Sequence, residues 1–104
     1  MAGNEIIKTE KVLVRIMELE ENGATDWHYH TEVTDFFVCL TGAVALETWS
    51  PAGTITLSPG QRAEVVAKTV HRVVNLSAGK AEYLLVQGVG TYDFCKDFQP
   101  EKNI

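Results

Sequence analysis

The chain has 104 residues, 45% of them hydrophobic and 22% charged, with a formal net charge of −5. That is the size and composition of one globular domain, able to bury about two thirds of the surface its unfolded chain exposes. Its nine basic residues are scattered among fourteen acidic ones, so no basic stripe is offered to a phosphate backbone and no nucleic-acid partner is expected. No apolar run approaches the length of a membrane span, and "MAGNEIIKTEK" at the N-terminus lacks a signal peptide's apolar segment. No membrane association and a cytoplasmic location are therefore expected.

In chain order, almost every segment reads as strand. "KVLVRIMEL" (11–19) is rich in β-branched residues and stops at the turn signal "EENG". "ATDWHYH" (24–30) alternates; as a strand it puts His28 and His30 on one face and Trp27 and Tyr29 on the other, packed against a second sheet or subunit. "DFFVCLTG" and "AVALETW" form two runs broken at Gly42. "TITLS" follows the turn "SPAG", and "AEVVA", "VHRVVN" and "AEYLLVQ" complete the series. Short strands with turns at roughly ten-residue spacing predict an all-β sandwich or barrel, and no window of helical period survives in the body of the chain. We take residues 1–104 as a single domain with its core at about 10–90. The stretch "TYDFCKDFQPEKNI" (91–104) loses alternation and reads as a tail that either packs locally or frays.

Two cysteines do not make a disulfide framework. Cys39, inside "FFVCL", reads as a buried small hydrophobe, and Cys95, in "YDFCKDF", as a half-exposed thiol. The histidines are more telling. There are three, two of them a strand's repeat apart, with Asp35 five residues beyond His30. Two imidazoles on one rigid face start a metal site but hold a divalent ion weakly, and His71 is the only other imidazole available. Without a third ligand, His28 and His30 are as well read as ordinary strand histidines.

The spacing around these residues resembles that of the cupins, small double-stranded β-helix barrels with two signature motifs. "NGATDWHYHTEVTDFFVCLTG" gives His28, His30, four residues, Asp35, six residues and Gly42, where the family has His-x-His, three or four residues, Glu, six residues and Gly. "GQRAEVVAKTVHRVVN" gives Gly60, Val66, Lys68, His71 and Asn75, where the family has Gly, Pro-x-Gly, His and Asn. The resemblance runs over about residues 10 to 90, and all three histidines fall on family ligand positions. Four departures stand out: the leading glycine comes one residue late at Gly23, with Asn22 in its place, Asp35 replaces Glu, and Val66 and Lys68 replace the Pro and Gly of the turn before His71.

The resemblance implies an all-β, double-stranded β-helix (jelly-roll or cupin barrel) in a single domain, commonly a homodimer, here paired through "VLVRIMEL". It implies one divalent metal ion on His28, His30, Asp35 and His71. Mixed nitrogen and oxygen ligands suit Fe, Mn, Ni, Co or Zn, and open coordination positions mark a site for binding or catalysis. The expected function is that of a metal-binding enzyme acting on a small oxygenated or acidic metabolite, of dioxygenase, isomerase or lyase type. The alternatives are a non-catalytic metabolite-binding or sensing module, or a metal kept for stability alone. Asp35 has a second reading as a turn cap, and Glu32 a lesser one as ligand. If Asp35 and His71 face a metal, alternation puts Phe37, Cys39, Val73 and Asn75 in the same chamber. Arg62 and Lys68 read as surface cations, or else as anchors for an acidic substrate at the chamber mouth.

Overall fold

The computed structural model describes residues 2–9, 11–88 and 93–95. Among them are the strands β1 (Ala2–Lys8), β2 (Leu13–Leu19), β3 (Thr34–Thr41), β4 (Val44–Trp49), β5 (Gly53–Leu57), β6 (Arg62–Val65), β7 (Val70–Asn75) and β8 (Ala81–Gly88). They form two antiparallel sheets, one of five strands in the order β1-β2-β8-β3-β6 and one of three in the order β5-β4-β7. The all-β expectation holds. Among the described residues there is no helix long and apolar enough to cross a membrane.

Alternation explains how two sheets close on one core. In β3, Phe37 and Cys39 point inward while Phe36 and Leu40 stay exposed. In β8, Ala81, Tyr83, Leu85 and Gln87 are buried while Glu82, Leu84 and Val86 between them are only half so. Met17, Leu19, Phe37, Val44, Leu46, Val73 and Tyr83 meet between the sheets. Each such side chain contributes about 1.5–3 kcal/mol by leaving water. Cys39 is wholly buried in this cluster, its thiol near the carbonyls of Thr41 and Gly42. It is a core residue, and it does not line the histidine chamber.

Three local features depart from the sequence reading. First, β1 was not anticipated. It is an edge strand paired only with β2, its register shifts between Glu5 and Ile7, and Ile6 and Ile7 are both exposed. Residues 5–8 of this strand are exposed on both faces, which leaves no alternation to read there.

Second, residues 24–30 do not form a continuous strand. Ala24 bridges Val74 and His28 bridges His71, so four steps of one segment match three of the other. That extra residue is a bulge, and it reverses the side-chain parity at Asp26 and Trp27. Thr25, His28 and His30 are consequently all buried. Trp27 does face outward, but against the Arg72 guanidinium, 4.8 Å above its ring.

Third, Asn75 points away from the chamber. Its amide nitrogen donates to the carbonyls of Leu19, Glu20 and Gly79 at 3.1, 2.9 and 2.7 Å, and its amide oxygen accepts from the Ser77 N–H at 2.7 Å. It bolts two loops together at the barrel end. Gly42 sits in the same corner with φ 74°, where a Cβ would collide with Ser77 Oγ. That position admits only glycine.

Candidate metal centre

The site is assembled by one bulged segment and two strands. The backbones of His28 and His71 exchange hydrogen bonds of 3.0 and 2.8 Å, which sets the segment 24–30 alongside β7. The Lys68 N–H donates to the His30 carbonyl at 2.7 Å and ties the turn before His71 to the same segment. Lys68 takes φ 70° to do so, the left-handed conformation that a glycine would hold without strain. Asp35 enters from the start of β3. All four side chains are buried, Asp35 and His71 to 1% exposure.

Each imidazole is aimed by its outer nitrogen. The Nδ1–H groups of His28, His30 and His71 donate to the carbonyls of Asp26, Asp93 and Thr69 at 2.6, 2.5 and 2.8 Å. A carbonyl only accepts, so Nδ1 must carry the proton and Nε2 of each neutral ring presents a bare lone pair to the interior. There the Nε2 atoms of His30 and His71 lie 3.0 and 2.9 Å from Asp35 Oδ2. Two lone pairs facing a carboxylate oxygen repel unless a cation sits among them, either as protons on the rings or as a metal ion. The four donor atoms all lie within 4.8 Å of one another. Ligands at about 2.1 Å from one ion and at right angles to each other would be about 3.0 Å apart, the spacing between Asp35 and its two histidines. His28, His30, Asp35 and His71 could hold a metal ion.

Without one, protons share the site. Burial drives the His28 imidazole down to about 4. Burial acts the same way on His30, but the hydrogen bond and charge of Asp35 outweigh it and hold that ring above its ordinary value. Burial would raise the Asp35 carboxyl, and the bonds from His30 and His71 override it, leaving it well below the usual carboxylate range.

A relay behind Asp35 fixes which oxygen faces inward. Gln87 Nε2 donates to Asp35 Oδ1 at 2.9 Å, and Arg15 Nη2 donates to Gln87 Oε1 at 3.1 Å. The arginine sets the amide's orientation, the amide engages one carboxylate oxygen, and Oδ2 is left for the histidines. Such outer partners orient ligands and tune their basicity.

The chamber itself is small, about 20 Å³, roughly the space of one water molecule. Phe94 closes it, stacked on the His28 ring at 4.4 Å and 20°. Phe94 is held there by its neighbours. The Asp93 carboxylate accepts from the Thr31 N–H at 2.9 Å and from Thr31 Oγ1 at 2.6 Å, while the backbones of Cys95 and Tyr29 exchange two bonds of 2.9 Å. The tail therefore packs locally at residues 93–95, and the rest of 91–104 lies outside the described residues.

The structure thus brings together all four residues singled out in the sequence. Glu32 is exposed, and Asp35 caps no turn but points into the cluster. Phe37 and Val73 line the chamber as alternation required, whereas Cys39 and Asn75 do not. Arg62 and Lys68 are exposed and away from the chamber. Its wall cation is Arg15, which the sequence reading missed along with Tyr83, Gln87 and Phe94. Three of these carried a signal: Arg15 sits on the inward parity of "LVRIMEL", and Tyr83 and Gln87 on that of "AEYLLVQ". Phe94 carried none.

Comparison with known proteins agrees with this architecture. The cupin domain family matches residues 15–87, and the chain belongs to it. No curated protein matches the chain. Among solved structures, it is similar to an uncharacterized conserved protein with a double-stranded β-helix domain from Klebsiella pneumoniae, at 15% identity and TM-score 0.82, covering 94% of this chain and 84% of that one. A protein from Thermus thermophilus matches at 27% identity and TM-score 0.76, covering 86% and 84%. The polyketide cyclase RemF from Streptomyces resistomycificus matches at 19% identity and TM-score 0.77, covering 95% and 72%.

Proposed function

We propose that this cupin holds one divalent metal ion on His28, His30, Asp35 and His71 and acts as an enzyme on a small oxygenated or acidic molecule. The observation that carries the reading is the convergence of four buried donor atoms whose outer nitrogens and oxygen are already tied down. A bound ion of iron, manganese, nickel, cobalt or zinc supplies Lewis acidity or a redox centre. The chain's own residues hold the ligands in one tautomer, keep Asp35 ionised through Gln87 and the histidines, and exclude bulk water with Phe37, Val73 and Phe94. Elemental analysis after loading with each metal in turn tests the first half, with about one ion per chain expected. Occupancy well below half with every metal would sink the reading. A screen of small oxygenated and acidic compounds, followed by oxygen uptake and product analysis, tests the second.

The small volume under Phe94 favours one rival, a metal kept for stability. Water-proton relaxation of the manganese-loaded protein separates the two, because a catalytic ion exchanges a bound water and a closed structural one does not.

A homodimer through the outer face of the five-stranded sheet is part of the proposal. Val14, Val86 and Phe36 stand in one cross-strand row and Ile16, Leu84 and Val38 in the next, with Glu64 and Arg62 at the ends of those rows on β6. An apolar face edged by one acid and one base suits a second copy turned by two-fold symmetry. Sedimentation equilibrium of wild type and Phe36→Glu checks it, and a monomeric wild type refutes it.

A further inference from the structure

Resting on the metal reading above, we infer that Phe94 occupies the ligand's own seat: residues 93–95 form a strap that lifts to admit a flat, unsaturated molecule, which takes the ring's place against His28. With the strap down the chamber holds about 20 Å³, room for a water molecule and nothing larger. Any organic ligand that reaches the ion must therefore move part of the wall. Met17, Phe37, Val73 and Leu85 belong to strands β2, β3, β7 and β8 and cannot shift without opening the core. Phe94 stands outside both sheets and is 42% exposed.

Among the described residues the fastenings of this strap lie mostly at the surface. The Asp93 carboxylate accepts from the N–H and the hydroxyl of Thr31, and both bonds are exposed. One isolated bridge pairs Cys95 with Tyr29. It continues into no ladder, so the strap can open while the sheets stay closed. One fastening reaches inward: the Asp93 carbonyl accepts from His30 Nδ1 at 2.5 Å. A strap that lifts takes that carbonyl away, and His30 loses the partner that fixes its ring and tautomer. Access to the chamber and hold on the ion are therefore coupled, and by reciprocity the ion favours the closed strap.

What the strap covers defines what can replace it. The Phe94 ring lies 4.4 Å from the His28 ring at 20°, a stacked pair. Lifting it bares one face of an imidazole whose inner nitrogen is a candidate ligand, among the apolar walls of the chamber. A flat ring restores the lost stack, and a puckered, saturated one does not. That difference is about 2- to 10-fold in affinity.

Two measurements on the full-length chain test this. In the metal-free protein the Tyr29 and Cys95 amides, which form the bridge, should exchange with solvent at least about 100-fold faster than the amides joining β2 to β8, and cobalt(II) should slow them. A common rate for both sets, or bridge amides indifferent to cobalt, would overturn the inference. In the cobalt-loaded protein, benzoate and cyclohexanecarboxylate are then bound in turn, followed by stopped-flow cobalt absorption and by calorimetry. The two have the same charge and nearly the same size, and the saturated one is the more apolar, so burial alone favours it. Benzoate should nonetheless bind about 2- to 10-fold tighter. Thr31→Val keeps the Phe94 ring and loses one fastening of the strap, so it should speed association of both acids about 3- to 10-fold. Phe94→Ala, which empties the seat, should speed it at least as much. Equal binding of the two acids or a preference for the saturated one would also overturn the inference. A wild-type chain that takes up no cobalt removes the metal reading and the ligand seat with it. Cobalt uptake without benzoate binding, or with association rates unchanged in both variants, removes this inference alone.

Discussion

Stripped of metal and acidified, the protein should lose stability through His28. In the fold, burial holds that imidazole down to about 4, whereas in the unfolded chain it titrates near 6.5. Between those values the unfolded chain takes up a proton that the folded chain refuses. Stability from this group is therefore full above pH 6.5, declines as pH falls toward 4, and is flat below. Linkage puts the loss between pH 7 and pH 4.5 at about 2.5 kcal/mol. For a domain of this size that is roughly 10–20 °C in melting temperature. His30, whose folded value is raised, works in the opposite direction over its own range. The effect is therefore read as a difference between wild type and His28→Phe. Phenylalanine keeps an aromatic ring under Phe94 and cannot titrate. Calorimetry with chelator at pH 7, 6, 5 and 4.5 gives the two curves. The wild type should fall faster, and metal should raise its stability most near neutral pH and less toward acid, because the histidines bind it only when deprotonated. Parallel curves in chelator would refute the assignment of the acid loss to His28.

Asp35→Asn keeps the shape of the side chain and removes its charge, so metal affinity by calorimetric titration should fall by at least about 100-fold; an unchanged value would leave a three-histidine site. Gln87→Leu deletes the donor to Asp35 Oδ1 and should cost about 10–100-fold in metal affinity, with the melting temperature of the metal-free chain as the control for packing. Lys68→Gly relieves a left-handed residue at φ 70°. The strain of about 1–2 kcal/mol exceeds glycine's entropic cost of about 0.5–1, so denaturant titration should show a gain of about 0.5–1 kcal/mol.

Strands β2, β3, β7 and β8 were legible because each buries one face, and alternation is the direct record of that burial. β7 and the start of β8 fall where "VHRVVN" and "AEYLLVQ" put them. The edge strand β1 was invisible for the converse reason. The bulge at Asp26 and Trp27 was hidden because it lies in the mismatch between two segments more than forty residues apart, not in either one alone. The four candidate ligands were found through motif spacing, which survives a bulge, since the count along the chain is unaffected by how the backbone bends. Arg15 and Gln87 stood on inward positions in the sequence, but a single polar residue in an apolar run is more often at a strand's edge than in a chamber wall. Phe94 reaches His28 across sixty-six residues, and nothing local marks that contact.

Strand β8 also has a kinetic meaning. It is hydrogen-bonded on both sides, to β2 and to β3, and is the last of the described strands along the chain. When synthesis runs from the N-terminus, all four candidate ligands emerge before it does. Until β8 slides in, β2 and β3 each present a bare row of N–H and C=O groups, the template on which chains join edge to edge. Over that interval Asp35 also lacks its Gln87 donor, so a metal ion captured early is held by ligands one of which has no outer partner from β8. Insertion of this one strand therefore ends the period of aggregation risk and gives Asp35 its outer donor in the same event. A synthetic peptide of residues 81–95, which also carries the Asp93 carbonyl that aims His30, should rescue, in solubility and metal retention together, a chain cut after residue 80.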